Sequence, residues 1–167
     1  MNEKLSQKVA IRSATKDDAV DVAHIYVKSW NVGFGGMAYR SVTAELIERW
    51  RLDLVKPVPQ RWWVAELKGS LVGFAGIGPS RDPIDSELGE LDTIAIAPSY
   101  WRAGIGRALM STALRYLIAD GYREAVLWTF AEYERGQRFY EAMGWKLAGN
   151  IRAEGRQVQY RYRLSHN

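Results

Sequence analysis

Between Glu90 and Leu109 the chain changes hydrophobic period within a few residues. Leu91 to Ala97 is an apolar run of strand length that stops at Pro98. Gly104 and Gly106 then open a segment to Asp120 in which Ile105, Leu109, Ala113, Tyr116 and Leu117 share one helical face. Strand, tight turn and amphipathic helix therefore follow one another with almost no slack. The first amides of a helix have no partner inside it and sit at the positive end of its dipole. Glycines remove the side chains that would hold a ligand away, so this turn is a nest of backbone donors for a phosphate or pyrophosphate. Arg102 and Arg107 add positive charge on either side.

The flanking segments predict the order β-α-α-β-β-β-α-β-α-β-β. Val9 to Ala14 reads as a short strand. Thr15, followed by Asp17 and Asp18, suits a helix start, and Val20, Ala23, Val27 and Trp30 continue at helical spacing until Gly33, Gly35 and Gly36 break it. Thr43 opens a second helix through Trp50. Trp62–Leu67 and Leu71–Ile77 form a hairpin about Lys68-Gly69-Ser70, and Pro79 to Gly89 reads as a polar loop. After the central helix, with Gly121 as its cap, Glu124–Phe130 is a strand and Arg135–Met143 a helix closed by Gly144. Trp145–Ile151 and Val158–Leu164 make a final hairpin. The expected fold is α/β (α+β): a mixed, mostly antiparallel sheet of about seven strands flanked by about four helices.

The 167 residues fit a single domain over 1–167, with residues 1–8 flexible. With no Cys, a disulfide framework and a catalytic thiol are excluded. No signal-like or membrane-spanning apolar run occurs, which leads to the expectation of a cytoplasmic protein without a membrane partner. Lys and Arg total 23 against 19 Asp and Glu, but no basic run concentrates the excess, so nucleic acid is not the expected partner. His24 and His166 do not form a cluster with metal-ligand spacing, so no metal is expected, and Ser29 lacks a triad.

Among phosphate ligands, a P-loop would need Gly-Lys-Ser/Thr, which is absent. A dinucleotide fingerprint would need a third glycine where Leu109 stands. The stretch Ile96-Ala97-Pro98 with Gly104-Ile105-Gly106 instead resembles the central motif of the GNAT superfamily of N-acetyltransferases, Gln/Arg-x-x-Gly-x-Gly/Ala after a strand ending in Pro. Trp101 stands where Gln or Arg is usual. A second block, Glu134 to Trp145, resembles the later helix of that family. Phe139, Tyr140 and Gly144 match, while Tyr133 replaces the usual Asn and Gly136 the usual Ala.

The resemblance implies acetyl-CoA, or coenzyme A, as cofactor and transfer of its acetyl group to a primary amine by direct attack. It places the cofactor against Ile94, Ala95, Ile96, Trp101, Arg102, Ala103, Gly104, Ile105, Gly106, Arg107, Tyr133 and Tyr140, with the Ile96 amide as oxyanion donor. It also implies Tyr140 as the acid near the sulfur, places the acceptor near the first helix pair, at Trp30 and Phe34, and allows a homodimer through the C-terminal hairpin. Glu90 and Asp92 share one strand face and are candidate bases toward the amine, Glu90 also as a substrate contact. Solvated or arginine-paired carboxylates are the competing reading. Asp82, Asp85 and Glu87 mildly favour a cationic small molecule over a protein acceptor, with a solvated surface loop as the competing reading. A non-catalytic acyl-CoA-binding module is the alternative, for which the departures at Trp101 and Tyr133 leave room.

Overall fold

The computed structural model describes residues 9–36 and 38–165; the expected flexible start at 1–8, and His166, lie outside the described residues. The elements are β1 (Ala10–Ser13), α1 (Ala19–Phe34), α2 (Ala44–Asp53), β2 (Arg61–Leu67), β3 (Ser70–Arg81), β4 (Ile84–Ile96), α3 (Ile105–Ala119), β5 (Glu124–Phe130), α4 (Glu134–Ala142), β6 (Lys146–Arg152) and β7 (Gln157–Arg163). The strands form one sheet in the order β1-β2-β3-β4-β5-β7-β6. Pairing is antiparallel for β1–β2, β5–β7 and β6–β7, and parallel for β4–β5, where Gly89 meets Ala125 and Glu90 meets Val126. This is the mixed, mostly antiparallel architecture expected from the element order. Two compact units make up the chain: residues up to Gly76 with Thr93–Leu109, and Ile77–Asp92 with residues from Met110 onward.

In the first unit α1 and α2 cover the strands through Val22, Ile25, Trp50, Leu54, Val64 and Phe74. Trp50 stands edge-on to Trp62 and Phe74, with ring centroids 5.3 and 5.1 Å away; such pairs add about 0.5–1.5 kcal/mol each beyond area burial. Gly76 lies beneath the Trp62 ring, and a β-carbon there would collide with it. Thr43 caps α2 by accepting the Leu46 amide at 3.1 Å. The β2–β3 turn is Lys68-Gly69, both at positive φ, the twist a two-residue hairpin needs.

The expected glycine break falls at Gly35, the C-cap of α1, and not at Gly33. Helix α1 passes through Gly33 to Phe34, and the Gly35 amide closes the last turn on the Asn31 carbonyl. One interior glycine costs about 1 kcal/mol, which does not end a helix. The last turns are also held by side chains: the Trp30 ring packs tilted against Phe34 one turn on, at 4.7 Å, and its indole N–H donates to the Ala38 carbonyl beyond the helix at 2.7 Å.

In the second unit the expected loop over Pro79–Gly89 is a β-hairpin, with β3 running to Arg81 and β4 starting at Ile84. Residues 84–87 are exposed, Ile84 to 92%, so the inside–outside alternation that announces a half-buried strand is missing. The turn is secured from elsewhere. Trp128 donates its indole N–H to the Asp82 carbonyl at 2.9 Å, Arg152 pairs with the Asp82 carboxylate at 3.0 Å, and the Arg152 guanidinium lies 4.3 Å over the Trp128 ring. Gly89, without a side chain, lets Leu117 and Tyr122 approach β4.

An ionic tie fixes the start of the first unit. Asp18 is buried and accepts two hydrogen bonds from Arg12 at 2.8 Å and one from the Thr15 amide at 2.7 Å, while Arg12 also reaches Glu66 at 2.8 Å. The Arg12 bonds, opposed by burial and reinforced by the Thr15 amide, hold the Asp18 carboxyl below its ordinary range. Its stabilisation is therefore complete above the unfolded value of about 3.9 and is lost as pH falls through the lower folded value. Asp18→Asn is expected to cost about 1.5–3 kcal/mol at pH 7, with the deficit shrinking below about pH 4. Urea denaturation of both proteins at pH 7 and pH 3 checks this.

Candidate active site

The turn after β4 has the geometry its sequence required. Pro98–Tyr100 is a single 3-10 turn, Arg102 and Gly104 take positive φ (64° and 83°), and α3 begins at Ile105. The Ala108 amide bonds the Gly104 carbonyl at 3.1 Å, so the amides of residues 105–107 are those a helix cannot satisfy itself. Residues 102–104 and Arg107 are exposed, and a β-carbon on Gly104 would meet nothing within 4 Å. The space over the amides is open and two guanidinium groups flank it in sequence, which fits a phosphate-bearing group. Ile94, Ala95 and Ile96 lead into this turn, half-buried, on β4. Gly73 of β3 permits their position: a β-carbon there would stand 2.8 Å from Ile96 Cδ1 and 3.1 Å from both the Ala95 oxygen and Leu109 Cδ1.

Trp101 has a definite task. Its indole N–H donates to the Ile96 carbonyl at 2.8 Å, tying the turn to the strand that precedes it. A Gln or Arg would present a polar head here; this chain presents a brace.

In the second unit Glu90 and Asp92 are brought together by a residue the sequence reading passed over. Arg81 donates to both Glu90 oxygens, Nε at 3.0 Å and Nη2 at 3.1 Å, and its amide adds a third bond at 3.2 Å; Nη1 reaches Asp92 at 3.1 Å. The Glu90 side chain is 4% exposed and that of Asp92 28%. The arginine-paired reading of these carboxylates describes their geometry, and Asp92 is the more accessible of the two.

Tyr133 stands at the N-cap of helix α4, and Tyr140 lies within it. The Tyr140 carbonyl accepts the amides of Met143 and Trp145 at 3.1 and 3.0 Å, which anchors the residue where the helix ends. Its ring lies 5.7 Å from Phe139 and 6.2 Å from Tyr160, and its hydroxyl has no hydrogen-bond partner among the described residues. Burial of the phenol, with a smaller contribution from Tyr133, pushes its pKa well above the usual 10. By contrast the Tyr160 hydroxyl donates to Glu141 at 2.8 Å, and burial followed by that bond pushes it up to about 12. The Tyr133 ring fills the place where a side chain on Gly136 would project, so the two departures in this block account for each other.

Trp30 and Phe34 form the aromatic end of α1, in the first unit. Arg40, which no periodicity singled out, lies over this end with its guanidinium 3.6 Å from the Trp30 ring centre. Ser29 is engaged with the Ile25 carbonyl at 2.9 Å, and His24 is exposed. Among the described residues no cluster of His, Cys, Asp and Glu could hold a metal ion, and no helix is long and apolar enough to cross a membrane.

These features meet in comparisons with known proteins. A family model described as Acetyltransferase (GNAT) family matches residues 20–145, and the chain belongs to that family. The uncharacterized N-acetyltransferase YuaI of Bacillus subtilis is 28% identical over 143 residues, 80% of this chain and 78% of YuaI. An uncharacterized N-acetyltransferase of Archaeoglobus fulgidus is 32% identical over 133 residues, 78% of this chain and 88% of the relative. The fold matches that of the PaiA N-acetyltransferase of Thermoplasma acidophilum, solved with coenzyme A, at a TM-score of 0.75 and 20% identity, covering 93% of this chain and 99% of that one.

The Tyr133–Gly136 contact predicts a coupled pair. Gly136→Ala alone should destabilise by about 1–3 kcal/mol, as overpacking does. Adding Tyr133→Asn should recover most of that loss, a coupling within the ~0.5–3 kcal/mol seen for residues in contact. A double-mutant cycle by thermal denaturation measures it.

Proposed function

We propose that this protein is an acetyl-CoA-dependent N-acetyltransferase acting on a primary amine by direct attack. The observation that carries the reading is the Tyr140 phenol. It is half-buried near the end of α4, its pKa is raised so that it stays protonated, and its hydroxyl has no hydrogen-bond partner among the described residues. A donor kept in that condition is suited to a leaving sulfur. Acetyl-CoA, when bound, supplies an acetyl group already activated as a thioester. The amides of Ile105, Gly106 and Arg107, the backbone of Arg102, Ala103 and Gly104, and the Arg102 and Arg107 side chains would hold its phosphates. The main chain of Ile94, Ala95 and Ile96 would line its arm, the Ile96 amide facing the acyl oxygen.

A simple alkyl amine is only about 0.1% neutral near pH 7.4, so a proton acceptor is needed. Asp92, the more accessible carboxylate, takes that proton through water in this reading, and Glu90 acts as a positioning residue by holding Arg81. Because the Tyr140 pKa is raised, outright transfer of its proton to a thiolate is uphill, and its contribution is chiefly a hydrogen bond to the developing charge. The brace role of Trp101 and the Tyr133–Gly136 fit support the enzyme over a non-catalytic binding module, since neither departure is a vacancy. The reading includes a cytoplasmic setting and a homodimer through the C-terminal hairpin, where Leu147 and Ile151 are exposed on β6.

Two measurements test the reading. Acetyl-CoA at about 100 times its dissociation constant should add about 2.7 kcal/mol and raise Tm by roughly 5–10 °C, with little effect from ADP; no shift at millimolar acetyl-CoA would remove the cofactor. Tyr140→Phe should lower the rate of thiol release at least tenfold while the acetyl-CoA shift is retained. Unchanged turnover would take Tyr140 out of the mechanism.

A further inference from the structure

The aromatic end of α1 holds a cation that acetyl transfer, as described, does not use. The Arg40 guanidinium lies 3.6 Å from the Trp30 ring centre and 5.3 Å from that of Tyr26, and Nη1 donates to the Tyr26 hydroxyl. The backbone beneath it is clamped: the Arg40 amide donates to Asn31 Oδ1 at 2.8 Å, and its carbonyl accepts from Asn31 Nδ2 at 2.8 Å. The Trp30 indole holds Ala38 in the same way. Arg12, Arg81, Arg152 and Arg161 each have an acidic partner. Arg40, though half-buried, pairs with no carboxylate among the described residues.

A guanidinium has five N–H donors in a planar fork, and among the described residues one of them is used, on Tyr26. The ring contact and the Tyr26 bond hold the guanidinium in place, and its planar fork matches two coplanar oxygens of a carboxylate. Ordering such a side chain ordinarily costs entropy on binding, and in this cluster it is already ordered. Helix α1 also packs against the Pro98–Tyr100 turn that leads into the phosphate nest, within the same unit. From the ring-held, clamped and acid-free guanidinium we infer that Arg40 is a subsite for a carboxylate on the acceptor. The acceptor class is then an amine that carries a carboxylate, as an amino acid does. This inference rests on the acetyltransferase reading. Trp30, expected at the acceptor together with Phe34, becomes the ring over which the guanidinium lies, and Phe34 packs against Trp30.

The test is thiol release from acetyl-CoA with glycine, L-alanine, L-methionine, L-phenylalanine and L-glutamate, each beside its α-carboxamide. At least one acid should exceed its amide tenfold or more in kcat/KM. In Arg40→Met that ratio should fall at least tenfold, through KM, and Arg40→Lys should restore part of it. An amide used as well as its acid, or a preference that survives Arg40→Met, overturns the subsite. If no compound releases thiol, the acetyltransferase reading fails for this acceptor class, and a second measurement judges the subsite alone. The Trp30 indole N–H resonance, assigned with Trp30→Phe, is titrated with N-acetylglycinate. A saturable shift in the wild type that is absent in Arg40→Met upholds the carboxylate site; no saturable shift overturns it.

Discussion

The close approach at Gly73 is the contact on which the rest of the first unit's site depends. The end of β4 and the first turn of α3 both press on that position of β3, with the Ile96 and Leu109 side chains and the Ala95 carbonyl meeting where a β-carbon would be. A side chain there would displace the ends of the Ile96 and Leu109 side chains and crowd the Ala95 carbonyl, disturbing the packing between the end of β4 and the start of α3. Gly76, three residues on, performs the same service for Trp62 and through it for the Trp50–Phe74 cluster under α1 and α2. One strand thus gives up side chains twice so that two separate layers can close upon it.

Charge is distributed with the same economy. Arg12 gathers Asp18 and Glu66, and Arg81 gathers Glu90 and Asp92. Each pairing relieves the like-charge repulsion of two neighbouring carboxylates and saturates the fork of one guanidinium. Asp92 keeps more of its surface than Glu90, so one shared cation leaves two chemically identical groups in different circumstances. At the nest, Arg102 and Arg107 stay exposed, as residues awaiting an anion would.

Element order and the strand–turn–helix around Gly104 were legible in the sequence because both rest on local rules: period, capping and glycine placement. Strand β5 was read to the residue, and Thr43 caps α2 as its residue type suggests. Two features were not legible. Gly33 looked like a stop because the side-chain contacts that hold the last turn, Trp30 against Phe34 and the Trp30 clamp on Ala38, leave no mark in the glycine pattern. The tip of the β3–β4 hairpin looked like a loop because its strand form is enforced by Trp128 and Arg152, 46 and 70 residues beyond Asp82. At the site, the shared face of Glu90 and Asp92 followed from alternation, but Arg81 and Arg40 matter through tertiary partners, and an isolated arginine leaves no periodic trace.

The nesting of the Tyr133 ring over Gly136 also bears on how such a chain can change. From the Asn and Ala that the family resemblance implies at these positions, the two steps to this pair are not interchangeable. Shrinking the alanine first leaves a small gap in the helix surface, a mild defect. Enlarging the asparagine first drives a ring into an occupied place. The glycine is therefore the permissive step and the tyrosine the dependent one, and reversion must run in the opposite order, tyrosine before glycine. A local packing fit of this kind acts as a ratchet on the evolutionary path of the helix that presents Tyr140.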